Sequence, residues 1–510
     1  MITGSIRTHY STLMSDRHMY LERGRDCAKL TLPTLLPDEG ANSSTIYPTP
    51  FQGVGARGVN NLASALLLSL LPPNAPFFRL VIDEQALSKI ENFSQVKAEI
   101  EQSLSQIERA VMRDIETSAV RVSVFEALKH LIVVGNVLIH LPEEGSMRVF
   151  HLDRYCVQRD SMGNPLLIIT KECVAPNVLP EEARSLVSGA DMQTNKMVDL
   201  YTSIRYLPDN KMEIYQEIND VEVPGSRGIF DKDKSPYIVL RMLNVEGENY
   251  GRSYVEQFLG DLKSLESLTQ AIVEGSAASA KILFLVNPNG TTRAKTLATS
   301  PNGAIVEGSA NDVQTLQVQK QADMQVALQA SKTIQDRLAY SFLLTESTIR
   351  DADRVTAAEI RLVTQSIERA LGGIYSLLSV EFQLPLVKRI MSRMSSQGRL
   401  PKLPKKYIQP AIVTGIEALG RGNDLDRLDL YLQGLAQFMG AEGLSQFLNL
   451  REYLKRRASA LGIDIKGLIK SEEEIAAEVQ EKQQQAILQQ FGNQAVDVVN
   501  QQAMMNQRSE

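Results

Sequence analysis

YVEQFLGDLKSLESLTQAIVEGSAASAK at residues 254–281 and QADMQVALQASKTIQDRLAYSFLLT at residues 321–345 decide how this chain is organised. In the first stretch Val255, Phe258, Leu259, Leu262, Leu265, Leu268, Ile272 and Ser276 recur at three- and four-residue spacing, the period of one helix face. Met324, Ala327, Leu328, Ile334, Leu338 and Phe342 repeat that period in the second. Ser253 and Glu256 form an S-x-x-E capping box that specifies where the first helix begins. At 1.5 Å per residue that helix extends about 40 Å, longer than most globular helices. Between the two helices, residues 282–320 hold two strand candidates, 282–286 and 315–318, separated by the turn sequences Asn287-Pro288-Asn289-Gly290 and Pro301-Asn302-Gly303. A charged loop follows the second helix, with Glu346, Arg350, Asp351, Asp353 and Arg354. Thr356 and Glu359 then cap a third helix, 357–394, in which Gly372-Gly373 and Pro385 mark bends. Helix, insert, helix and loop in this order describe a spoke, not a pocket.

Outward from this unit the pattern mixes helices with β-rich stretches. Residues 11–29 read as a helix and 95–119 as an amphipathic helix with Ile100, Leu104, Ile107 and Val111 on one face. Residues 51–71 begin with glycines and become helical. Residues 122–141 read as a buried helix that becomes a strand at Gly135-Asn136. Residues 148–160 and 166–172 flank the turn Ser161-Met162-Gly163-Asn164, and residues 198–206 and 212–218 flank Pro208-Asp209-Asn210, giving two hairpins. A Pro/Lys-rich connector covers 398–410. Beyond it the chain is helical, with a capping box at Ser471 and Glu474 and a stripe through Ile475, Val479, Ala486 and Ile487. The last 40 residues hold ten Gln, a polar tail that either packs against copies of itself or frays. The fold class is mainly α with β-rich segments.

With 510 residues the chain buries a large core and holds more than one structural region. It is 43% hydrophobic and 22% charged, ordinary for a soluble protein. A formal net charge of -6 supplies no global basic field, which argues against a sequence-specific DNA binder. Cys27, Cys156 and Cys173 are three and far apart, so they read as buried free thiols in a reducing compartment. No signal-peptide pattern opens the chain, and the most apolar window, 62–71, is about half a bilayer span and stops at Pro72-Pro73. The expectation is a soluble protein without a membrane segment.

Catalytic chemistry finds no foothold. There is no G-x-x-x-x-G-K-[ST] loop to cradle phosphates, no G-x-S-x-G elbow and no H-E-x-x-H. Gly53-Val54-Gly55-Ala56-Arg57-Gly58 is glycine-rich but lacks the lysine and follows no strand; it reads as close backbone packing, with a nucleotide site as the alternative. His9, His18, His130, His140 and His151 have no partner spacing. Asp351 and Asp353 have the chemistry to hold Mg²⁺ but no nearby helpers, so they read as solvated loop charges. Not an enzyme, no cofactor and no metal are the expectations.

Six strings in order resemble the portal, or head-to-tail connector, proteins of short-tailed bacteriophages of the Autographiviridae kind. They are TPFQGVGARGVNNL (49–62), VFEALKHLIVVGNVLIHL (124–141), YCVQRDSMGN (155–164), NYGRSYVEQFLGDLKSL (249–265), RVTAAEI (354–360) and TGIEALGRGNDLD (414–426). The resemblance runs from about residue 10 to about residue 465, and the tail matches in character only. It implies a ring, usually of twelve copies, at one capsid vertex. Double-stranded DNA passes through it without sequence specificity, driven by a separate terminase and later ejected. The implied partners are the terminase, the major capsid protein and scaffold, a tail adaptor and internal core proteins. The implied location is the virion, after assembly in the host cytoplasm. The family's fold divides into wing, stem, clip and crown. Residues 1–254 and 357–406 correspond to wing, 255–281 and 321–345 to the stem helices, 282–320 to the clip, 346–356 to the tunnel loop and 407–510 to the crown with its Gln-rich helical tail.

Within that resemblance, Arg350, Asp351, Asp353 and Arg354 are the expected channel residues. The two arginines would touch passing phosphates while the acids keep contact brief, since phosphate affinity rises with each net cation. An exposed loop with internal ion pairs is the alternative. Edges of the insert are expected to pair between subunits. The small residues 275–280 mark either crowding of adjacent subunits or a frayed helix end. A self-assembling helical scaffold or adaptor of the virion, without a DNA channel, is the alternative function.

Overall fold

A computed structural model of the chain describes residues 4–400 with breaks at 39, 43, 74–76, 82–92, 195, 280–282, 317–320, 345–366, 368–370 and 372, then 411–414, 428–438 and the single positions 440, 448, 453, 454 and 457. It separates into two units, Met1–Ala418 and Leu419–Glu510.

In the first unit, α1 (Ile6–Lys29), α2 (Val54–Leu70), α3 (Phe93–Thr117) and α4 (Val120–Val134) surround the principal core, with strand β1 (Phe78–Val81) between α2 and α3. The α1 helix starts five residues before the expected Ser11, because Ser5 Oγ accepts from Thr8 N–H at 3.4 Å and caps it. Ala119, in the left-handed region at φ 53°, separates α3 from α4. The α4 helix ends on Gly135, at φ 82°, whose N–H bonds Leu131 O. A Cβ at Gly135 would lie 2.5 Å from the Arg252 backbone, so only glycine fits this junction. Strand β2 (Asn136–His140) leaves it at once, as the Gly-Asn break predicts.

The β2 strand sits at the centre of an antiparallel sheet with β3 (Arg148–Phe150) on one side, and a later strand on the other. A larger antiparallel sheet contains β4 (Tyr155–Arg159), β5 (Pro165–Val174), β6 (Val198–Leu207), β7 (Lys211–Ile218) and β8 (Val221–Glu222) in order, with β9 (Gly228–Asp231) also on β7. Strand β10 (Tyr237–Arg241) completes the first sheet against β2. Both expected hairpins are present. Asp209 and Asn210, at φ 62° and 58°, make the β6–β7 turn, and Gly163, at φ 85°, makes the β4–β5 turn.

One expectation is corrected. Residues 148–160 are not a single strand but β3, a 3₁₀ turn at Leu152–Arg154 and β4, divided between two sheets. The cause is remote in sequence. Arg17 of α1 donates through Nη1 to the carbonyls of Leu152, Asp153 and Tyr155 at 3.2, 2.8 and 3.0 Å, which stabilises the turn.

After β10 come the paired helices α5 (Leu259–Ser279), preceded by a 3₁₀ turn at Val255–Phe258, and α6 (Gln321–Ser341). Between them β11 (Leu283–Val286) pairs with β12 (Val313–Leu316), from Leu283↔Leu316 to Val286↔Val313. A short helix, Ala294–Thr299, lies in their connection and has no forerunner in the sequence pattern. Farther on, Ile374–Leu378 runs into a π turn, Ser379–Gln383, and then α7 (Leu384–Ser396). Pro385 lies in the first turn of α7, directly after the π turn. Strand β13 (Ala411–Thr414) pairs antiparallel with β1. The expected capping boxes at Thr356 and Ser471, and the Gln-rich tail, lie outside the described residues.

In the second unit, residues 428–438 are helical apart from undescribed neighbours. There Tyr453 Oη donates to Asp429 Oδ1 at 2.7 Å, and Arg457 pairs with Asp429 at 3.3 Å.

Candidate functional site: the paired helices and their base

The α5 helix is launched by Ser253. Its Oγ accepts from Glu256 N–H at 3.2 Å and donates to Ile132 O at 3.0 Å. The second arm of the capping box is absent, because the Glu256 carboxylate lies 3.4 Å from Arg252 and 3.9 Å from Arg23. The apolar stripe is covered at the base and only partly covered farther out. Val255, Leu262, Leu265, Leu338 and Phe342 are 0% exposed, whereas Leu268, Ile272, Met324, Ala327 and Ile334 are half-buried and Leu328 is 53% exposed; beside the stripe, Val273 is 50% and Val326 71% exposed. Regular helix continues to Ser279, so the small residues are not a frayed end. A Cβ at Gly275 would come within 2.7 Å of Met324 Cε on α6.

The base is an aromatic and hydrogen-bonded clamp. Tyr254 meets Phe342 edge-on at 5.8 Å, and Phe258 lies 5.7 Å from the same ring. Tyr254 Oη donates to Ser341 O at 2.9 Å. From α2, Asn61 Nδ2 donates to the carbonyls of Phe342 and Leu343 at 3.1 and 3.0 Å. Leu343 is held in the left-handed region at φ 57°, a conformation that costs a branched residue energy. Gly58 makes room for this end of the pair, since a Cβ would sit 2.7 Å from Phe342 Cγ.

The glycine-rich stretch is therefore a packing device. Gly55 lies so close to Leu30 that a Cβ would stand 2.4 Å from its carbonyl oxygen. Gln52 Oε1 accepts from Gly55 N–H at 2.9 Å, while its Nε2 donates to Leu30 O at 2.7 Å. The N–H groups of Phe51 and Gln52 bind the Glu266 carboxylate of α5 at 2.9 and 3.1 Å. An internal carboxylate occupies these donors.

Electrostatically the two helices differ. Residues 255–279 carry Glu256, Asp261, Glu266 and Glu274 against Lys263 alone, while on α6 Asp323 and Asp336 balance Lys332 and Arg337. Arg337 pairs with Asp261 at 2.8 Å across the helices. The outer face of α6 carries an open depression of about 590 Å³ lined by residues such as Gln325, Gln329, Lys332 and Gln335, all from this one helix. No group of three or more His, Cys, Asp or Glu capable of holding a metal occurs among the described residues. Cys27 and Cys156 are buried, and burial pushes their thiols up to about 12 and about 11. Cys173 departs from the expectation of buried thiols, being exposed. Among the described residues no helix is long and apolar enough to cross a membrane.

Arg350, Asp351, Asp353 and Arg354 lie outside the described residues, in the segment that follows the clamped end of α6. The clamp residues Asn61, Gly58 and Glu266 escaped the sequence reading as functional positions. Their partners lie more than two hundred residues away, and only the string 49–62 drew attention to two of them.

Residues 3–469 match the family model described as bacteriophage head to tail connecting protein. The chain belongs to this head-to-tail connecting protein family. It is 43% identical over 473 residues to the portal protein of Enterobacteria phage T3, covering 91% of this chain and 88% of that one. Against the portal protein of Escherichia phage T7 it is 42% identical over 474 residues, with the same coverage of both. The portal protein of Enterobacteria phage SP6 is 30% identical over 500 residues, covering 96% of this chain and 95% of its own. The match spans α1 to β13, so the connector family's membership rests on the whole first unit and not on one motif. As a head-to-tail connecting protein the chain is a structural component of the virion.

Proposed function

We propose that the chain assembles, as twelve copies, into a ring at one capsid vertex, with the paired helices as spokes around a passage for double-stranded DNA. The observation that carries this reading is the helix pair itself, clamped into the core at one end and carrying the exposed apolar residues Val273, Val326 and Leu328 farther out. Exposed apolar helix residues need cover, and neighbouring copies supply it around a closed ring. In this reading residues 255–281 and 321–345 are stem, 282–320 clip, 346–356 tunnel loop, 1–254 and 357–406 wing, and 407–510 crown. The acid excess of α5 repels phosphate and lets DNA slide. Arg350 and Arg354 touch it briefly, with Asp351 and Asp353 limiting the contact.

The chain does no catalysis, and a separate terminase supplies the energy for packaging. The capsid protein and scaffold, a tail adaptor and internal core proteins are its other neighbours, and the ring is assembled in the host cytoplasm before it enters the virion.

Electron microscopy of the purified protein tests assembly and channel together. Closed rings with a central hole are expected. Filaments or solid particles would favour the adaptor reading instead. Replacing Arg350 and Arg354 with Ala tests the loop: rings form normally and DNA packaging or retention falls. Heads filled to the usual extent would remove the loop from the mechanism.

A further inference from the structure

Three charged side chains away from the helix pair are left with unmet hydrogen-bonding capacity. Arg159, at the end of β4, and Arg241, at the end of β10, converge on one carbonyl. Arg159 Nη1 donates to Gly163 O at 2.8 Å and Arg241 Nη2 to the same oxygen at 3.4 Å. Two guanidinium groups therefore stand side by side, and Arg241 is only 5% exposed. Gly163 suits this turn by its φ of 85°, and Arg241 Nη2 packs against its open face. The third group is Glu381, in the π turn Ser379–Gln383 that packs against β10. Widened turns of this kind are frequent at functional sites.

Glu381 Oε2, Arg159 Nη2 and Arg241 Nε are all buried and meet no hydrogen-bond partner. The Tyr155 hydroxyl, buried near Arg159, is also without one. Burial raises the Glu381 carboxyl despite the pull of Arg241 and Arg159. Burial and then the charge of Arg241 push Arg159 down to about 10. The three groups thus feel one another's charge without contact that satisfies them, and buried polar groups left so are rare in native proteins.

We propose that Arg159, Arg241 and Glu381 form a binding site for a phosphate group that carries a proton, supplied as free inorganic phosphate. The two guanidinium groups offer donors and positive charge, which an oxyanion accepts. Ionised, Glu381 offers only acceptors, so a bare oxyanion such as sulfate would set oxygen against oxygen there. A metal cation would suit Glu381 and be repelled by both arginines. Hydrogen phosphate meets all three: its oxygens accept from Arg159 Nη2 and Arg241 Nε, and its P–OH donates to Glu381 Oε2. Bound there, it would join the β4–β5 turn, β10 and the helix that leads into α7.

Calorimetric titration of the intact protein with phosphate, sulfate and chloride at matched ionic strength tests the site. Phosphate should bind saturably and about tenfold or more tighter than sulfate, the difference one charge-assisted hydrogen bond makes. In Glu381→Gln, whose amide donates, phosphate and sulfate should converge to within about twofold. Equal response to all three anions, or no saturable binding, overturns the proposal and leaves bridging water as the occupant. Adenosine monophosphate binding as tightly as phosphate overturns the assignment to the free ion. The wild-type comparison decides by itself should Glu381→Gln fail to fold.

Discussion

Three histidines are built into this fold in the neutral form. His130 stacks on His151 at 6.3 Å and His140 on Tyr237 at 4.4 Å, and the Nδ1 atom of each histidine is buried without a hydrogen-bond partner. Burial pushes His130 down to about 3, with the charges of His151 and Lys129 adding to it. Burial likewise takes His140 and His151 down to about 4. The unfolded chain takes up these protons near pH 6.5, the folded chain only near its lowered values, so the unfolded state binds more protons between them. Stability is therefore full above about pH 6.5 and falls as pH drops towards about 4, by up to about 1.4 kcal/mol per pH unit for each histidine. Urea unfolding at a series of pH values should show this slope, and His130→Gln should make it shallower by one proton. A slope identical in the variant would remove His130 from the account. A second residue with a large effect is Asp114, which holds Arg393 at 2.6 Å and Arg399 at 2.7 Å. Asp114→Ala leaves Arg393 buried without its countercharge and should cost about 3–5 kcal/mol in denaturant titration. Neither effect was legible in the sequence. His130 and Asp114 gain their meaning from partners that lie on other elements.

The elements themselves were far more legible, and for a physical reason. Periodicity along α3, α5 and α6 reports burial of one helix face, the apolar run of α4 reports burial all round, and Gly135, Gly163 and the Asp209-Asn210 pair report backbone conformations that few other residues adopt. What stayed hidden was stabilised from a distance. The 3₁₀ turn between β3 and β4 depends on Arg17, and the π turn before α7 has no local signature in SVEFQ. The β11–β12 insert is an intermediate case. Its strands were legible, while the fixture of its connection was not. Asp312 Oδ2 accepts from Thr291 Oγ1, Thr292 N–H and Thr292 Oγ1, each at 3.1 Å. Asp312 O also accepts from Asn287 N–H at 2.8 Å. Removing the carboxylate in Asp312→Ala takes away three of the bonds that hold Thr291 and Thr292 beside the start of β12, leaving Thr292 with its bonds to Ser309 and the principal core untouched. Limited proteolysis should then cut residues 287–312 faster than in the wild type, with the global unfolding midpoint unchanged. Equal cleavage rates would show that the strand pairing alone holds the connection.

At the scale of the whole molecule, the helix pair presents an opposition between base and outer face. The base is built to be rigid: Phe342 is fully buried, Gly58 is shaped to its ring, Tyr254 holds the last carbonyl of α6 and Asn61 the two carbonyls after it. The outer face is built to be covered. Val326 and Leu328 on α6 and Val273 on α5 are at least 50% exposed, and Phe284 and Leu285 on β11 likewise. Sequence periodicity marked Leu328 as part of the stripe without telling which of its members the single chain buries, because a helix face looks the same whether its cover is internal or comes from another copy. The ring reading makes a separable prediction from this difference. Val326→Asp places a charge on a face that one chain leaves open, so the folded protomer should lose no more than about 0.5 kcal/mol, the usual range for surface changes. The proposed ring would have to bury that charge without a partner, and assembly should fail. Light scattering on a sizing column distinguishes the cases: a folded protomer-sized species is expected for Val326→Asp. Rings that persist with a normal unfolding midpoint would place the subunit contact on another face of the helix pair.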